Sequence, residues 1–201
     1  MLIMELLATG KMVLQTLNEA GYEAYFVGGM VRDQLINLPL YDIDITTSAK
    51  PEVVMSLFEK TIATGLAHGT VIINKIPIEV TTFRVETGYA DYRHPNEVIF
   101  TASLEDDLKR RDFTINAIAR DINDCLYDPM QGLNDLNNQL LKCVGVPTER
   151  FTEDPLRMLR GIRFVSKLGF SLDHETLEGI KKVSPLIAHI SKERIKKELE
   201  G

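Results

Sequence analysis

The stretch "PLYDIDITTSAK", residues 39–50, decides how this chain is read. Ile43 and Ile45 alternate with Asp42 and Asp44, the pattern of a strand with one apolar face and one acidic face. Two like charges on neighbouring same-face positions repel, so a strand built only for packing has little reason to carry them. Asp42 and Asp44 therefore point to a cationic partner.

The flanking sequence narrows that partner. Just upstream, "YEAYFVGG" (22–29) reads as a short strand running into a glycine turn, and "GMVRDQLIN" (29–37) opens a helix that Leu38-Pro39 ends. Gly28 and Gly29 would let backbone approach a phosphate, and Arg32 would neutralise its charge. Paired carboxylates beside such a turn suit Mg²⁺, which takes oxygen ligands and is held by one or two carboxylates together with substrate phosphates. Two such ions can activate an attacking hydroxyl and stabilise the leaving oxygen of an in-line displacement. Glu79, in "IPIEV", is the expected third acidic residue, with a solvated strand position as its alternative. No G-x-x-x-x-G-K-[ST] is present, so a P-loop is not supported.

Elsewhere in the first half, residues 4–20 carry a helical period stopped by Gly21, and "KPEVVMSLFEK" is a helix with Pro51 in its first turn. "TVIINKIPIEVTTFR" reads as two strands turning near Asn74-Lys75. Residues 86–98 show no hydrophobic period and read as a mobile loop, and 103–121 read as helical. From Phe151 onward helical patterns follow one another without a strand signal. The expected division is a catalytic head, 1–145, and a helical neck, 146–201.

With 201 residues the chain can bury a real core. The net charge of −6 is unevenly spread. Residues from 150 onward hold eleven Lys/Arg against eight Asp/Glu, and those before it twelve against twenty-one. That asymmetry fits metal in the first part and an anionic partner in the second, with two solvated surfaces as the alternative. Two cysteines, Cys125 and Cys143, make no disulfide framework and suggest a reducing compartment. The N-terminus lacks a basic n-region and a long apolar run, so the expectation is a soluble, cytoplasmic protein with no membrane segment.

The segment "TEDPLRMLRGIRF" (152–164) offers a way to choose a base. Thr152 is the expected N-cap, with Glu153 and Asp154 in the first turn and Pro155 tolerated there. Asp154 and Arg157, three apart, project as neighbours. They form either a surface salt bridge or a pair that reads a base edge. Cytosine and adenine each offer an amine donor beside a ring acceptor, which suits a carboxylate beside a guanidinium. Uracil and guanine present the reverse pattern and would leave buried polar groups unpaired. Arg160 and Arg163 continue along the helix toward triphosphate or RNA backbone, and Glu153 would orient Arg157 or cap the helix.

Taken together, "VGGMVRDQLINLPLYDIDITT", "RRDFTINAIA" and "EDPLRMLR" resemble the class II tRNA nucleotidyltransferases and the related bacterial poly(A) polymerases. The resemblance covers residues 22–200. It implies an α+β fold: a polymerase-β-like head with a mixed, largely antiparallel sheet of about five strands and flanking helices, then an all-helical neck. It implies Asp42 and Asp44 as ligands of two catalytic Mg²⁺ ions, and Gly29, Arg32, Arg111 and Asp112 as nucleotide-binding residues with Arg110 beside them. Asp154 and Arg157 become the amino-acid template for incoming nucleotides. The implied activity is addition of C, C and A to the 3′ end of tRNA from CTP and ATP. A poly(A) polymerase or A-adding enzyme is the alternative, and a non-catalytic RNA- or nucleotide-binding module a remoter one. No protein partner is implied.

Further matches add detail. "GYADYRHP" (88–95) corresponds to the loop that family members need for adding adenosine, which disfavours a CC-only enzyme. "KERIKKELE" (192–200), with Glu193, Arg194 and Glu198, is expected to support the neck helices. His68 in "LAHGT" is open between a structural and a catalytic role. Family members continue into helical body and tail domains, whereas this sequence stops inside a helical pattern at Glu200-Gly201, which reads as a fragment.

Overall fold

A computed structural model describes residues 2–65, 70–73, 78–89 and 91–200, with the backbone alone for 2–4, 63–65 and 73. His68 and the turn expected near Asn74-Lys75 lie outside the described residues. The chain forms two compact units. The first holds residues 1–85, 98–108 and 118–129, and the second holds 86–97, 109–117 and 130–201.

Along the chain the elements of the first unit begin with α1 (Leu2–Glu19), β1 (Ala24–Val27), α2 (Gly29–Leu35), β2 (Ile43–Thr47), α3 (Pro51–Leu57), β3 (Thr61–Gly65), β4 (Thr70–Ile73) and β5 (Ile78–Thr82). A ribbon follows, β6 (Arg84–Tyr89) and β7 (Pro95–Phe100), then α4 (Leu104–Lys109), a 3₁₀ turn at Thr114–Asn116, β8 (Ala119–Arg120) and β9 (Leu126–Tyr127). The remainder is α5 (Gly132–Asn137), β10 (Leu140–Leu141), α6 (Pro147–Glu153), α7 (Leu156–Leu168), β11 (Ser171–Leu172), α8 (His174–Val183), a 3₁₀ segment at Ser184–His189 and α9 (Lys192–Glu200).

The first unit is built on a seven-stranded sheet ordered β3-β4-β5-β2-β1-β8-β9 among the described residues. Only β2 and β5 run parallel; the other neighbours are antiparallel. This is the expected mixed, largely antiparallel α+β architecture, and the count exceeds five because β8 and β9 are two-residue strands. The alternation in 43–47 is realised: Ile43 and Ile45 are buried with Phe26, Ile78 and Val80. Helix α1 packs on β1 and β2 and adds Leu14 and Leu17 to that core. Pro51 opens α3, where its missing N–H costs nothing.

The second unit is centred on three phenylalanines. The Phe113 ring lies 6.4 Å from Phe151 and meets Phe164 edge-on at 5.9 Å. Helix α6 packs on α8 and α7 on α9. One two-residue strand, β11, interrupts the helices by pairing in parallel with β10.

Three local expectations are corrected. Residues 86–98 are not an irregular loop, because β6 and β7 pair as a ribbon. Neither strand buries one whole face, so no hydrophobic alternation marks them. Residues 103–121 are not one helix. Ser103 Oγ accepts the Asp106 N–H at 3.2 Å and starts α4, which ends at Lys109. Beyond it, Asp112 accepts the Phe113 N–H at 2.8 Å and the Asn116 amide at 3.1 Å, a local alternative to the helical ladder. Finally, Thr152 is not an N-cap. Residue 154 precedes a proline and is extended (φ −142°, ψ 100°), so α6 stops at Glu153 and α7 begins at Leu156.

Candidate active site

In the first unit Asp44 and Glu79 share one face of the sheet. Asp42 is exposed and immediately precedes β2, and Asp44 is half-buried within it. The parallel register sets Asp44 directly beside Glu79 on β5, and Glu79 is exposed. One step along, Thr46 pairs with Thr81. Thr46 Oγ1 donates to the fully buried Asp107 carboxylate at 3.1 Å, which also accepts the Arg84 N–H at 3.4 Å. Asp107 braces the polar face from beneath. Nothing in the acidic run "LEDDL" distinguishes it from Asp106, so sequence reasoning missed it.

The glycine turn leads from β1 into α2. Gly28 sits at φ +76°, ψ −144°, a conformation open to glycine and closed to side chains. Arg32, expected to neutralise a phosphate, is buried, with Nε and Nη2 each 2.7 Å from Asp33 Oδ1. A Cβ on Gly29 would stand 3.4 Å from Arg32 Nη2, so the guanidinium folds back over the turn.

The donor set Asp42, Asp44 and Glu79 is made of hard carboxylate oxygens. Such oxygens suit Mg²⁺. Among the described residues no three His, Cys, Asp or Glu side chains come together as a metal site.

In the second unit Arg157, Arg160 and Arg163 are each closed on a carboxylate. Arg157 Nη1 donates to Glu153 Oε2 at 2.7 Å and to the Arg150 carbonyl at 3.1 Å. Arg160 meets Asp112 Oδ2 through Nε at 2.9 Å and Nη2 at 2.7 Å. Arg163 Nε donates to Glu198 at 2.7 Å. Asp154 does not pair with Arg157: its carboxylate is held by Arg194 Nη2 at 3.0 and 3.3 Å and accepts the Leu156 N–H at 3.1 Å, capping α7. Asp154 and Arg157 therefore form no i,i+3 salt bridge with each other; each is oriented by a separate partner. Glu153 orients Arg157 as expected, and Arg194 and Glu198, expected to support the neck helices, hold Asp154 and Arg163.

Burial works against charge on Arg157, but Glu153 and then the Tyr89 and Asp112 groups hold its pKa above the ordinary arginine value. Asp112 is 8% exposed. Burial pushes its carboxyl up, yet the Arg160 charge, the Asn116 hydrogen bond and the Arg157 charge outweigh this and hold it at about 2. Arg111, between Arg110 and Asp112, is half-buried. Arg110 donates to Glu86 at 3.2 Å.

No helix among the described residues is long and apolar enough to cross a membrane. Comparison with known proteins gives a consistent picture. The chain is 55% identical over 190 residues to a CCA-adding enzyme of Geobacillus sp. (strain WCH70), covering 94% of this chain and 47% of that one. A crystal structure of the Bacillus stearothermophilus CCA-adding enzyme in complex with CTP superposes with a TM-score of 0.88 at 47% identity, over 95% of this chain and 47% of that chain. A tRNA nucleotidyltransferase complexed with a primer tRNA and an incoming ATP analog gives 0.78 at 30% identity, over 94% and 55%. The chain thus spans about half the length of the curated relatives it matches. Residues 169–200 match the model described as the probable RNA and SrmB-binding site of polymerase A. Residues 24–142, which include the glycine turn, the acidic strand and the "RRD" segment, match the poly A polymerase head domain, and the chain belongs to that family.

Proposed function

We propose that this chain is the transferring and nucleotide-choosing part of an enzyme that adds C, C and A to the 3′ end of tRNA, using CTP and ATP. The observation that carries the reading is the pairing of Asp44 on β2 with Glu79 on β5, in a chain that spans about half the length of the CCA-adding enzymes it matches. Residues 1–145 act as the catalytic head and 146–201 as the neck.

In the reaction the terminal 3′-hydroxyl oxygen attacks the α-phosphorus, the bond to the β-phosphate breaks, and pyrophosphate leaves. Asp42 and Asp44 are the residues that would hold Mg²⁺, with Glu79 beside them. Two ions bound there would supply a lowered hydroxyl pKa and charge neutralisation at the leaving group. Arg111 and the glycine turn serve the triphosphate. Arg32, Asp112, Arg160 and Arg163 serve it indirectly, through the pairs that fix their positions.

Asp154 accepts from the exocyclic amine of cytosine or adenine, and Arg157 donates to the ring nitrogen beside it. Among the described residues both Arg157 hydrogen bonds leave from Nη1, so Nε and Nη2 are the groups to meet the base. Uracil and guanine would set acceptor against carboxylate and donor against guanidinium.

A poly(A) polymerase is the second reading, favoured by the description of the matching head family. Incubation of the chain with tRNA ending at the discriminator base, C or CC, and each labelled nucleotide separates the two. The expected result is CTP, CTP, then ATP, with Asp42→Ala or Asp44→Ala lowering the rate by about a thousandfold. Incorporation of ATP alone selects the second reading, and transfer that survives both substitutions refutes the assignment of the acidic face.

A further inference from the structure

The tip of the ribbon carries an unusual residue. Tyr92 has φ +58°, in the left-handed region that a bulky side chain occupies only where its surroundings over-determine it. The turn around it is closed by Asp91, which accepts the Arg93 and His94 N–H groups at 3.1 and 2.7 Å and pairs with His94 Nδ1 at 2.7 Å. So presented, the Tyr92 ring stacks on His189 with centroids 4.8 Å apart and planes 23° from parallel. His189 ends the 3₁₀ segment that follows α8.

The other end of the ribbon is also pinned. The Glu86 carboxylate, 8% exposed, accepts from Tyr89 Oη at 2.6 Å and from Arg110 Nη1 at 3.2 Å. Between the two pins the ribbon forms one wall of a cavity of about 640 Å³, with Gly88 and Tyr89 on that wall, Thr152 and Glu153 of α6 on another, and Lys182 of α8. Glu153 is the residue that holds Arg157. The Tyr89 phenol is pushed up by burial and by Glu86, and it senses Arg157 and Glu153 as well.

We propose that the Tyr92–His189 stack is a latch that fixes the ribbon along this cavity, making Tyr92 and His189 positioning residues for Arg157. The proposal rests on the reading of Arg157 as a base reader. Neither residue need touch the nucleotide. The stack holds the ribbon along the cavity that Tyr89 and Glu153 both line, and Glu153 holds Arg157.

The test compares this chain with its Tyr92→Ala, His189→Ala and Tyr92→Phe variants. Hydrogen–deuterium exchange follows the amides of 86–97, and equilibrium titration measures CTP against UTP. Loss of one aromatic stack should raise ribbon exchange about fivefold in both alanine variants. The preference for CTP over UTP should fall severalfold with it, and Tyr92→Phe, which keeps the ring, should restore both. Unchanged exchange overturns the latch, and raised exchange with an unchanged CTP preference overturns the positioning role. An unmodified chain that binds CTP and UTP alike refutes the reading of Arg157 and the proposal with it, a failure recognisable without any variant.

Discussion

Replacing Asp112 by Asn should leave a pH signature that no simple loss of packing would leave. The carboxylate accepts four hydrogen bonds, from the Phe113 N–H, the Asn116 amide and two nitrogens of Arg160. Its pKa falls from an ordinary 3.8 to about 2 in the folded chain. A depression of that size corresponds to about 2 kcal/mol of stability. Because the folded value is the lower one, the unfolded chain binds more protons in the interval. The contribution is therefore complete above about pH 4 and is lost as pH falls through about 2. Asn keeps the shape but turns one oxygen into a donor facing Arg160 or a backbone N–H, which adds about 1 kcal/mol of unsatisfied polarity. The variant should be less stable by about 3 kcal/mol at pH 7, a fall of several degrees in Tm for a chain of this size. Urea unfolding of both proteins between pH 7 and 3 reads the effect. The gap should narrow by about 1 kcal/mol at pH 3. A gap that stays constant over that range would refute the charge-based account of the Asp112–Arg160 pair.

Two further outcomes test the packing of the second unit and the difference between the cysteines. Cys143 is buried and its thiol is pushed up to about 12, chiefly by burial, whereas Cys125 is exposed. Iodoacetamide at pH 8 should alkylate one cysteine of the folded chain, Cys125, and both in urea, as counted by mass spectrometry; fast labelling of Cys143 in the folded chain would contradict its burial. A Cβ at Gly179 would stand 2.5 Å from the Pro147 Cβ and 3.3 Å from its carbonyl carbon. Gly179→Ala should therefore destabilise by about 1–3 kcal/mol despite the better helix propensity of alanine. A raised Tm would show that α6 and α8 are not in close contact there.

What was legible in the sequence was local. The alternation around Asp42 and Asp44, the Gly28 turn and Pro51 each depend on a few consecutive residues, and each forms the element read from it. The side-by-side placement of Asp44 and Glu79 depends instead on β5 pairing in parallel with β2, a long-range choice that no window of sequence contains. The ribbon was illegible for a different reason. Its strands are held by backbone pairing with little burial on either face, so the periodicity that reveals half-buried strands was never required. At 152–157 the helical period holds on either side of Pro155, but proline restricts the backbone of Asp154. That restriction splits the segment into two helices and sends Asp154 to Arg194.

The surplus of positive charge after residue 150 takes on another meaning once its partners are known. Arg157, Arg160, Arg163 and Arg194 are each closed on a carboxylate of the second unit, those of Glu153, Asp112, Glu198 and Asp154. A planar guanidinium held from one side still presents donors in a fixed direction, so these pairs act as orientation devices rather than as a reserve of free charge. The lysines differ. Lys196 reaches Glu200 only at 3.6 Å, with both side chains largely in solvent, an arrangement worth little in stability. Lys182, Lys192 and Lys197 are exposed as well. The charge asymmetry in the sequence therefore joins two unlike populations. Arginines spend their charge inside the unit fixing its geometry, and lysines leave theirs at the solvent-exposed surface.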